Sequence, residues 1–266
     1  DYFCRIIKKT TANKKLAGVF YGYVMEQMYG GFCTQHSGHF ALGKLLQSKN
    51  VDYLMSPTSY NDRQPGGSGG HMSAIASIHL HNKLWINQAD IRTYLSDKNS
   101  GYGRCDTQDK SIGVIRREYA MDLAAGVPVY WYSFSLPWFA PSESIMSNIA
   151  KLNSIDAQAN EINRSPDTSR LAVIVSDSPA SYIGLQMEPL HSMVYLQREA
   201  IARAGIPYDV YLDSDLDNPN MPKYKAYLFL DSIHLTDKTR NWINTNLKKN
   251  KNVLAWVWAQ GIATDT

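Results

Sequence analysis

The residues of this chain best suited to chemistry follow a short apolar run in the stretch "KLWINQADIRTYL". The run itself reads as a buried strand, and Asn87, Gln88, Asp90 and Arg92 come directly after it. Amide, carboxylate and guanidinium groups can bind hydroxyl groups or take part in acid–base chemistry. Because functional side chains collect at the carboxyl ends of parallel strands, we predict that these four residues reach a functional site.

Polar and aromatic residues also follow the other strand candidates of the first 150 residues. The side chains that we predict to contact a substrate are Tyr23, Tyr60, Asn61, Arg63, Trp85, Asp90, Arg92, Trp131 and Trp138. Aromatic rings stack on the C–H face of a sugar, while Asn and Arg bond its hydroxyl groups, so this set favours a carbohydrate. Loop packing is an equal alternative for Tyr60, Asn61 and Arg63, and a Trp on a barrel strand often fills the core.

Strand and helix patterns alternate along the chain and predict an α/β fold in two units. Strands are predicted at 16–25, 51–60, 83–87, 127–134, 170–177, 206–213, 224–232 and 252–261, and helices at 38–48, 112–126, 187–205 and 236–250. Gly126 is a helix-stop residue, and Thr236 or Asp237 is a candidate helix cap. This rhythm predicts parallel pairing with crossover helices, in a first unit at 1–150, a linker at 151–169 and a second unit at 170–266.

Composition argues against several classes of partner. A net charge of +3 is too small to indicate nucleic acid, and no stretch approaches the 18 apolar residues expected of a membrane span. The cysteines, Cys4, Cys33 and Cys105, are odd in number and lack metal-ligand spacing, so we predict buried free thiols. No phosphate-binding glycine motif follows a strand, so a nucleotide has no support.

Three histidines and a glycine-rich loop are further candidates for functional roles, but each has an ordinary structural explanation. His71, His79 and His81 have no carboxylate at metal-ligand spacing, so we predict polar histidines and neither a metal nor a cofactor. The loop "GGSGG" at 66–70 has no helix start or GK[ST] after it and is predicted to be a flexible lid.

The two ends read as parts of a longer protein. The N-terminal "DYFCRIIKK" reads as the middle of a helix, and the C-terminal "VLAWVWAQGIATDT" stops soon after a strand. We therefore expect further chain beyond both ends. The sequence leaves the compartment, cytoplasm or periplasm, open.

Longer stretches resemble a known family. "GVFYGYVMEQ" and "SPTSYNDR…GGSGG…HNKLWINQADIRTYL" resemble the second half of the catalytic barrel in glycoside hydrolases related to the family 42 β-galactosidases, and "RLAVIVSD…IARAGIPYDVYLDSDL" resembles the flavodoxin-like trimerisation domain that follows that barrel. The resemblance implies an α/β fold made of the C-terminal part of a (β/α)8 TIM barrel and a flavodoxin-like doubly wound domain. It also implies a carbohydrate substrate and a homotrimer, and no cofactor motif is evident in the sequence.

The resemblance implies a retaining mechanism that uses two glutamates, and it places Gln88 at the position of the nucleophile. A retaining glycosidase needs a carboxylate there to form a glycosyl ester, and a neutral amide cannot form that bond. The resemblance leaves the acid/base residue outside this chain, because it belongs to the fourth barrel strand. Glu26 is expected at the surface or behind the site, and Asp90 and Arg92 are expected to form an ion pair that braces the loop.

Two interpretations of the whole chain stay open. The first is a retaining glycoside hydrolase for β-galactosides or related polysaccharide fragments, inactive in this form because Gln88 replaces Glu by engineering or by natural departure. The second is a non-catalytic carbohydrate-binding or assembly protein derived from such an enzyme, which keeps the sugar site without the chemistry.

Overall fold

The structure, a computed structural model, describes residues 1–26, 38–39, 41–134, 138–159, 170–183, 188–258 and 260–264. It divides into two compact units. The first unit comprises Asp1–Met55, Met72–Trp85 and Thr168–Thr266, and the second comprises Ser56–His71 and Ile86–Asp167. These units interleave along the chain, whereas the sequence predicts two consecutive units, 1–150 and 170–266, joined by a linker. That division stays a prediction.

Eight strands and eight α-helices are formed by the described residues. The strands are β1 (Gly18–Phe20), β2 (Tyr53–Pro57), β3 (Leu84–Ala89), β4 (Val129–Trp131), β5 (Leu171–Val175), β6 (Tyr208–Leu212), β7 (Ala226–Phe229) and β8 (Val253–Trp256). The helices are α1 (Tyr2–Thr10), α2 (Leu42–Leu46), α3 (Ile75–Leu80), α4 (Gln108–Ala125), α5 (Glu143–Ala159), α6 (Glu188–Leu190), α7 (Leu196–Arg203) and α8 (Asp237–Trp242). A π-helical segment at His191–Tyr195 joins α6 to α7, and another at Ile243–Lys248 follows α8.

The first four strands form one sheet in the order β1-β2-β3-β4. β1 pairs with β2 in parallel, and β3 pairs with β4 in parallel with Gln88 opposite Tyr130. Parallel pairing places the carboxyl ends of neighbouring strands at one edge of the sheet. β2 ends at Pro57, three residues before the end of the predicted strand, because proline has no N–H to donate to a ladder.

The second sheet lies in the first unit and has the order β6-β5-β7-β8, with each pair parallel. The apolar sequence of β5, "LAVIV", is buried at four of its five positions, as expected of a central strand covered on both faces. Ala172, Ile174 and Phe229 form part of the core of this unit. The predicted mixed α/β fold with parallel sheets is confirmed.

Local sequence signals set the ends of α4. Thr107 caps its start by accepting a hydrogen bond from the Lys110 N–H at 3.3 Å, and Asp109 in the first turn favours the helix dipole. Gly126 ends the helix in the left-handed conformation with φ of 71°, as predicted. Ile115 and Tyr119 on its buried face belong to the core of the second unit, together with Cys105.

Several sequence predictions are corrected. The strand predicted at 16–25 is only β1, because the chain turns at Gly22 with φ of 85°. Residues 75–80 lie outside the predicted helices and strands and form α3. Cys4 and Cys105 are buried free thiols as predicted, and Cys33 lies outside the described residues. No described helix is long and apolar enough to cross a membrane.

Candidate functional site

Gln88 lies near the carboxyl end of β3, in the second unit. It is 7% exposed. Its backbone carbonyl accepts hydrogen bonds from the N–H groups of Asp90 at 2.9 Å and Thr58 at 3.3 Å, which fix the backbone on both sides of the residue. Its side-chain amide makes no hydrogen bond with the described residues, although it is not among their fully occluded polar atoms. The amide therefore keeps contact with solvent and is available to a ligand.

Two arginines hold Asp90, two residues further on. Arg63 donates from Nη1 to Asp90 Oδ1 and from Nη2 to the Asp90 carbonyl, each at 2.8 Å. Arg92 donates from Nη1 to the same carbonyl at 2.6 Å and also to Oδ2. The ion pair predicted between Asp90 and Arg92 is present, and Arg63 adds a second. Because both carboxylate oxygens are occupied by guanidinium groups, Asp90 is not available as a nucleophile.

Aromatic rings surround the Arg92 guanidinium. Its central carbon lies 4.8 Å from the ring centre of Trp138, 5.1 Å from Tyr102, 5.4 Å from Phe134 and 5.6 Å from Tyr60. Each distance is within the range of a cation–π contact, and the stiff rings limit the positions that the guanidinium can adopt. The group of Tyr60, Arg63, Asp90, Arg92 and the other three rings is called the Arg92 cluster below.

Tyr60 contacts both the aromatic rings and the charged groups of the Arg92 cluster. Its hydroxyl lies 3.4 Å from Asp90 Oδ2. Burial and the Asp90 carboxylate raise the pKa of Tyr60 to about 12, although the charges of Arg92 and Arg63 act in the opposite direction. The phenol therefore stays protonated at physiological pH and serves as a hydrogen-bond donor.

Asn87, the residue before Gln88, belongs to a chain of hydrogen-bonded polar side chains. The Asn87 amide donates to Asp122 Oδ2 at 2.8 Å and to Thr58 Oγ1 at 3.0 Å. His71 Nε2 lies 2.8 Å from Asp122 Oδ1. Burial raises the pKa of Asp122, and the hydrogen bonds from His71 and Asn87 oppose that rise. This chain ties β3 to α4 at the residue that precedes Gln88.

The loop with four glycines is pinned rather than open, which corrects the predicted flexible lid. Asp62 Oδ2 accepts hydrogen bonds from the Ser68 N–H at 2.8 Å and the Ser68 hydroxyl at 2.7 Å. Arg117 donates to the carbonyls of Gly67 and Gln64. These bonds satisfy loop backbone groups internally, so the loop is a fixed part of the second unit.

The structure brings some predicted site residues together and separates others. Tyr60, Arg63, Asp90, Arg92 and Trp138 share the Arg92 cluster. Trp131 instead packs edge-to-face on Phe139, with ring centres 6.5 Å apart, beside the core.

The remaining predicted residues have other surroundings. Asn61 is half-buried, and its amide nitrogen has no hydrogen-bond partner among the described residues. Tyr23 lies in the first unit, where its ring stacks on His39 at 3.8 Å. Trp85 also lies there and is fully buried, which argues against the predicted contact with a substrate. Glu26 is buried against Arg198 at 2.7 Å, so it is not a surface residue.

Sequence reasoning missed Asp122, Tyr102 and Phe134. The signal for Asp122 was present, since an acidic residue on the buried face of an amphipathic helix needs a partner. His71 and His81 do have carboxylate partners, Asp122 and Asp215, that lie far away in the sequence. No group of three or more His, Cys, Asp or Glu suited to a metal occurs among the described residues.

Comparisons with known proteins support the fold and little beyond it. No family model matches the chain, and no curated protein matches it. A solved structure of the β-galactosidase from the psychrophilic Marinomonas ef1 matches 98% of this chain with a TM-score of 0.58 and 13% sequence identity. The chain spans 42% of the length of that β-galactosidase chain. The chain therefore shares the mixed α/β fold of that solved structure over most of its own length.

Proposed function

We propose that this chain is part of a retaining glycoside hydrolase for β-galactosides or related polysaccharide fragments. The observation that carries the proposal is the position of Gln88, which presents a solvent-contacting amide at a strand's carboxyl end in a fold matched by a β-galactosidase. On this proposal β1 to β4 are the fifth to eighth strands of a (β/α)8 barrel, and β5 to β8 form a flavodoxin-like domain. The parallel order of both sheets supports this assignment.

In this proposal the Arg92 cluster positions the strand end that carries the reacting group. A nucleophile must lie about 5–5.5 Å from its acid partner, so a small displacement lowers the rate strongly. Asp90, held by two arginines, fixes the backbone after Gln88, and Asn87 fixes the backbone before it. The amide of Gln88 has the shape of a glutamate side chain without its charge, so this form is expected to bind substrate and hydrolyse little of it.

The test is Gln88→Glu in the protein at its full length. We expect aryl β-galactoside hydrolysis to rise by at least about a hundredfold, because a carboxylate can form the glycosyl ester. Gln158→Glu, at an exposed position of the same unit, is the matched control and should leave hydrolysis unchanged. A Gln88→Glu variant that folds normally and gains no activity would contradict a catalytic role.

The neutral amide at Gln88 also favours a second function, that of a non-catalytic carbohydrate-binding or assembly protein. In that case calorimetry should detect β-galactoside binding to the natural protein, while Gln88→Glu stays inactive. We propose that the protein, whether it is a hydrolase or a non-catalytic binding protein, assembles as a homotrimer through the unit containing β5 to β8. Sedimentation equilibrium measures this directly, and a monomer at micromolar concentration would exclude it.

A further inference from the structure

An open cleft lies in the first unit beside the edge strand β8, outside the Arg92 cluster. Its volume is about 360 Å³, within the usual range for a small-ligand site. The residues that line it are Leu235, Arg240, Ile243, Asn244, Lys248, Trp256 and Gln260. This group of residues is called the β8 cleft.

The β8 cleft is positively charged. Two of its lining residues are cations and none is acidic. Arg240 donates from Nε to the Leu235 carbonyl at 3.1 Å and from Nη2 to the Gly261 and Ala263 carbonyls, all of which are neutral acceptors. Neither Arg240 nor Lys248 forms an ion pair with any described carboxylate. Neither charge is neutralised by a described carboxylate, which favours an anionic ligand.

Trp256 gives the cleft a flat apolar wall. Its ring stacks on the fully buried Phe229, with centres 3.8 Å apart and planes 12° apart. Trp256 is nevertheless 37% exposed. Because the core supports one face of the indole, the ring is held rigid for a ligand at little further cost in conformational entropy.

Gln260 adds a hydrogen-bond acceptor without a partner. Its Nε2 donates to the carbonyls of Leu230 at 3.3 Å and Trp258 at 2.7 Å, and also to that of Val257. These bonds leave Oε1 fully occluded and without a partner among the described residues. A rotation of the Gln260 side chain would turn this oxygen into the cleft, where a ligand hydroxyl could donate to it.

We propose that the β8 cleft binds an acidic saccharide. The C–H face of the sugar would stack on Trp256, a hydroxyl would donate to Gln260 Oε1, and a carboxylate or sulfate group would meet Arg240 and Lys248. A neutral sugar would leave two cations unbalanced, and a simple anion would use neither the indole nor the amide. The proposal rests on this cleft alone and stands whether or not the chain hydrolyses β-galactosides.

The experiment is a calorimetric titration of the chain with methyl β-galactopyranosiduronate, galactose 6-sulfate, methyl β-galactopyranoside and sodium acetate. We expect at least one acidic sugar to bind about tenfold or more tightly than the neutral glycoside, and acetate to compete poorly. Preference for the uronide identifies the acid as a carboxylate, and preference for the other acidic sugar identifies a sulfate ester. Absence of binding by both acidic sugars, equal binding of the neutral glycoside, or equal competition by acetate would overturn the proposal.

Two matched pairs of variants locate the binding. Lys248→Glu should weaken binding of the acidic sugar by about tenfold or more, whereas Lys249→Glu, an exposed neighbour outside the cleft lining, should change it less than twofold. Trp256→Ala should abolish binding while Trp258→Ala preserves it, and unfolding curves check that both remain folded. Equal losses within the lysine pair would place binding elsewhere and reject the assignment.

Discussion

Arg63 donates two hydrogen bonds to Asp90 from separate guanidinium nitrogens. Nη1 donates to the side-chain Oδ1 and Nη2 to the backbone carbonyl, each at 2.8 Å. Both side chains are buried. This contact joins the loop after β2 to the segment after β3, two residues beyond Gln88. The planar fork lets the arginine reach the two acceptors with two separate nitrogens, whereas a lysine would have to reach both from one nitrogen.

Arg63→Ala is expected to destabilise the protein by about 3 kcal/mol, because removing one partner of a buried ion pair leaves charge poorly compensated. Arg63→Lys should recover only part of this loss. Urea unfolding measures both. Lys110→Ala, which breaks the exposed pair between Lys110 and Asp106, is the control and should cost far less, because solvent screens that pair. Equal costs for the two alanine variants would show that the Asp90 contact contributes little.

Asn87→Asp should destabilise the protein by about 2 kcal/mol at pH 7, because it replaces the donor to Asp122 with a second buried carboxylate. The cost should shrink as pH falls, since one of the two acids can then hold a proton and donate it. Thermal unfolding from pH 5 to 8 tests this dependence. Asn99→Asp, at an exposed position, should show neither the cost nor the trend. A pH-independent cost would argue against direct coupling with Asp122.

Gly67→Ala should destabilise the loop strongly, by about 2 kcal/mol or more. A Cβ at Gly67 would lie 2.0 Å from the backbone oxygen of Asp62, so the backbone must shift. Gly113→Ala is the opposite case, because that glycine is exposed on α4 with no atom near an added Cβ. Helix propensity then predicts stabilisation by about 0.5–1 kcal/mol. Unfolding midpoints that move in the same direction for both variants would contradict this account of the loop.

Buried carboxylates at the carboxyl ends of β6 and β7 make stability depend on pH. Burial and the neighbouring Asp177 raise the pKa of Asp213 to about 7, and burial raises the pKa of Asp231 well above its usual value. Their folded-state pKa values exceed the unfolded ones, so the folded protein holds more protons. This contribution to stability is complete below about pH 4 and is lost as pH rises through the folded pKa values.

Asp231→Asn should therefore raise the melting temperature at pH 8 by roughly 2–4 °C, with a difference that shrinks towards pH 4. The amide oxygen can still accept the hydrogen bond that the Ser176 N–H makes to Asp231 Oδ1 at 2.7 Å. Asp97→Asn, on the exposed loop, controls for the change in net charge. A variant less stable than the natural protein at pH 8 would show that the charged form of Asp231 is needed for folding.

Local sequence rules were sufficient for most of the element order. Gly126 ends α4 and Pro57 ends β2 because of their backbone chemistry, and Thr236 caps α8 because its side-chain oxygen accepts from the Thr239 N–H. The apolar run of β5 likewise marked a central strand. The polar residues at the end of β3 correctly indicated a cluster of side chains, because residues at one strand end follow one another in the sequence.

Only the tertiary structure decided which partners those side chains have. Asp122 meets His71 across 51 positions, and Arg198 meets Glu26 across 172. The sequence marks Asp122 as an acid that needs a partner but cannot say which partner, because that depends on how parallel strands and their crossover helices bring distant segments together. The same reason explains why the glycine loop is pinned and why Trp85 faces the core. The sequence determined which functional groups stand at the strand ends, and the packing of distant segments decided which of those groups touch.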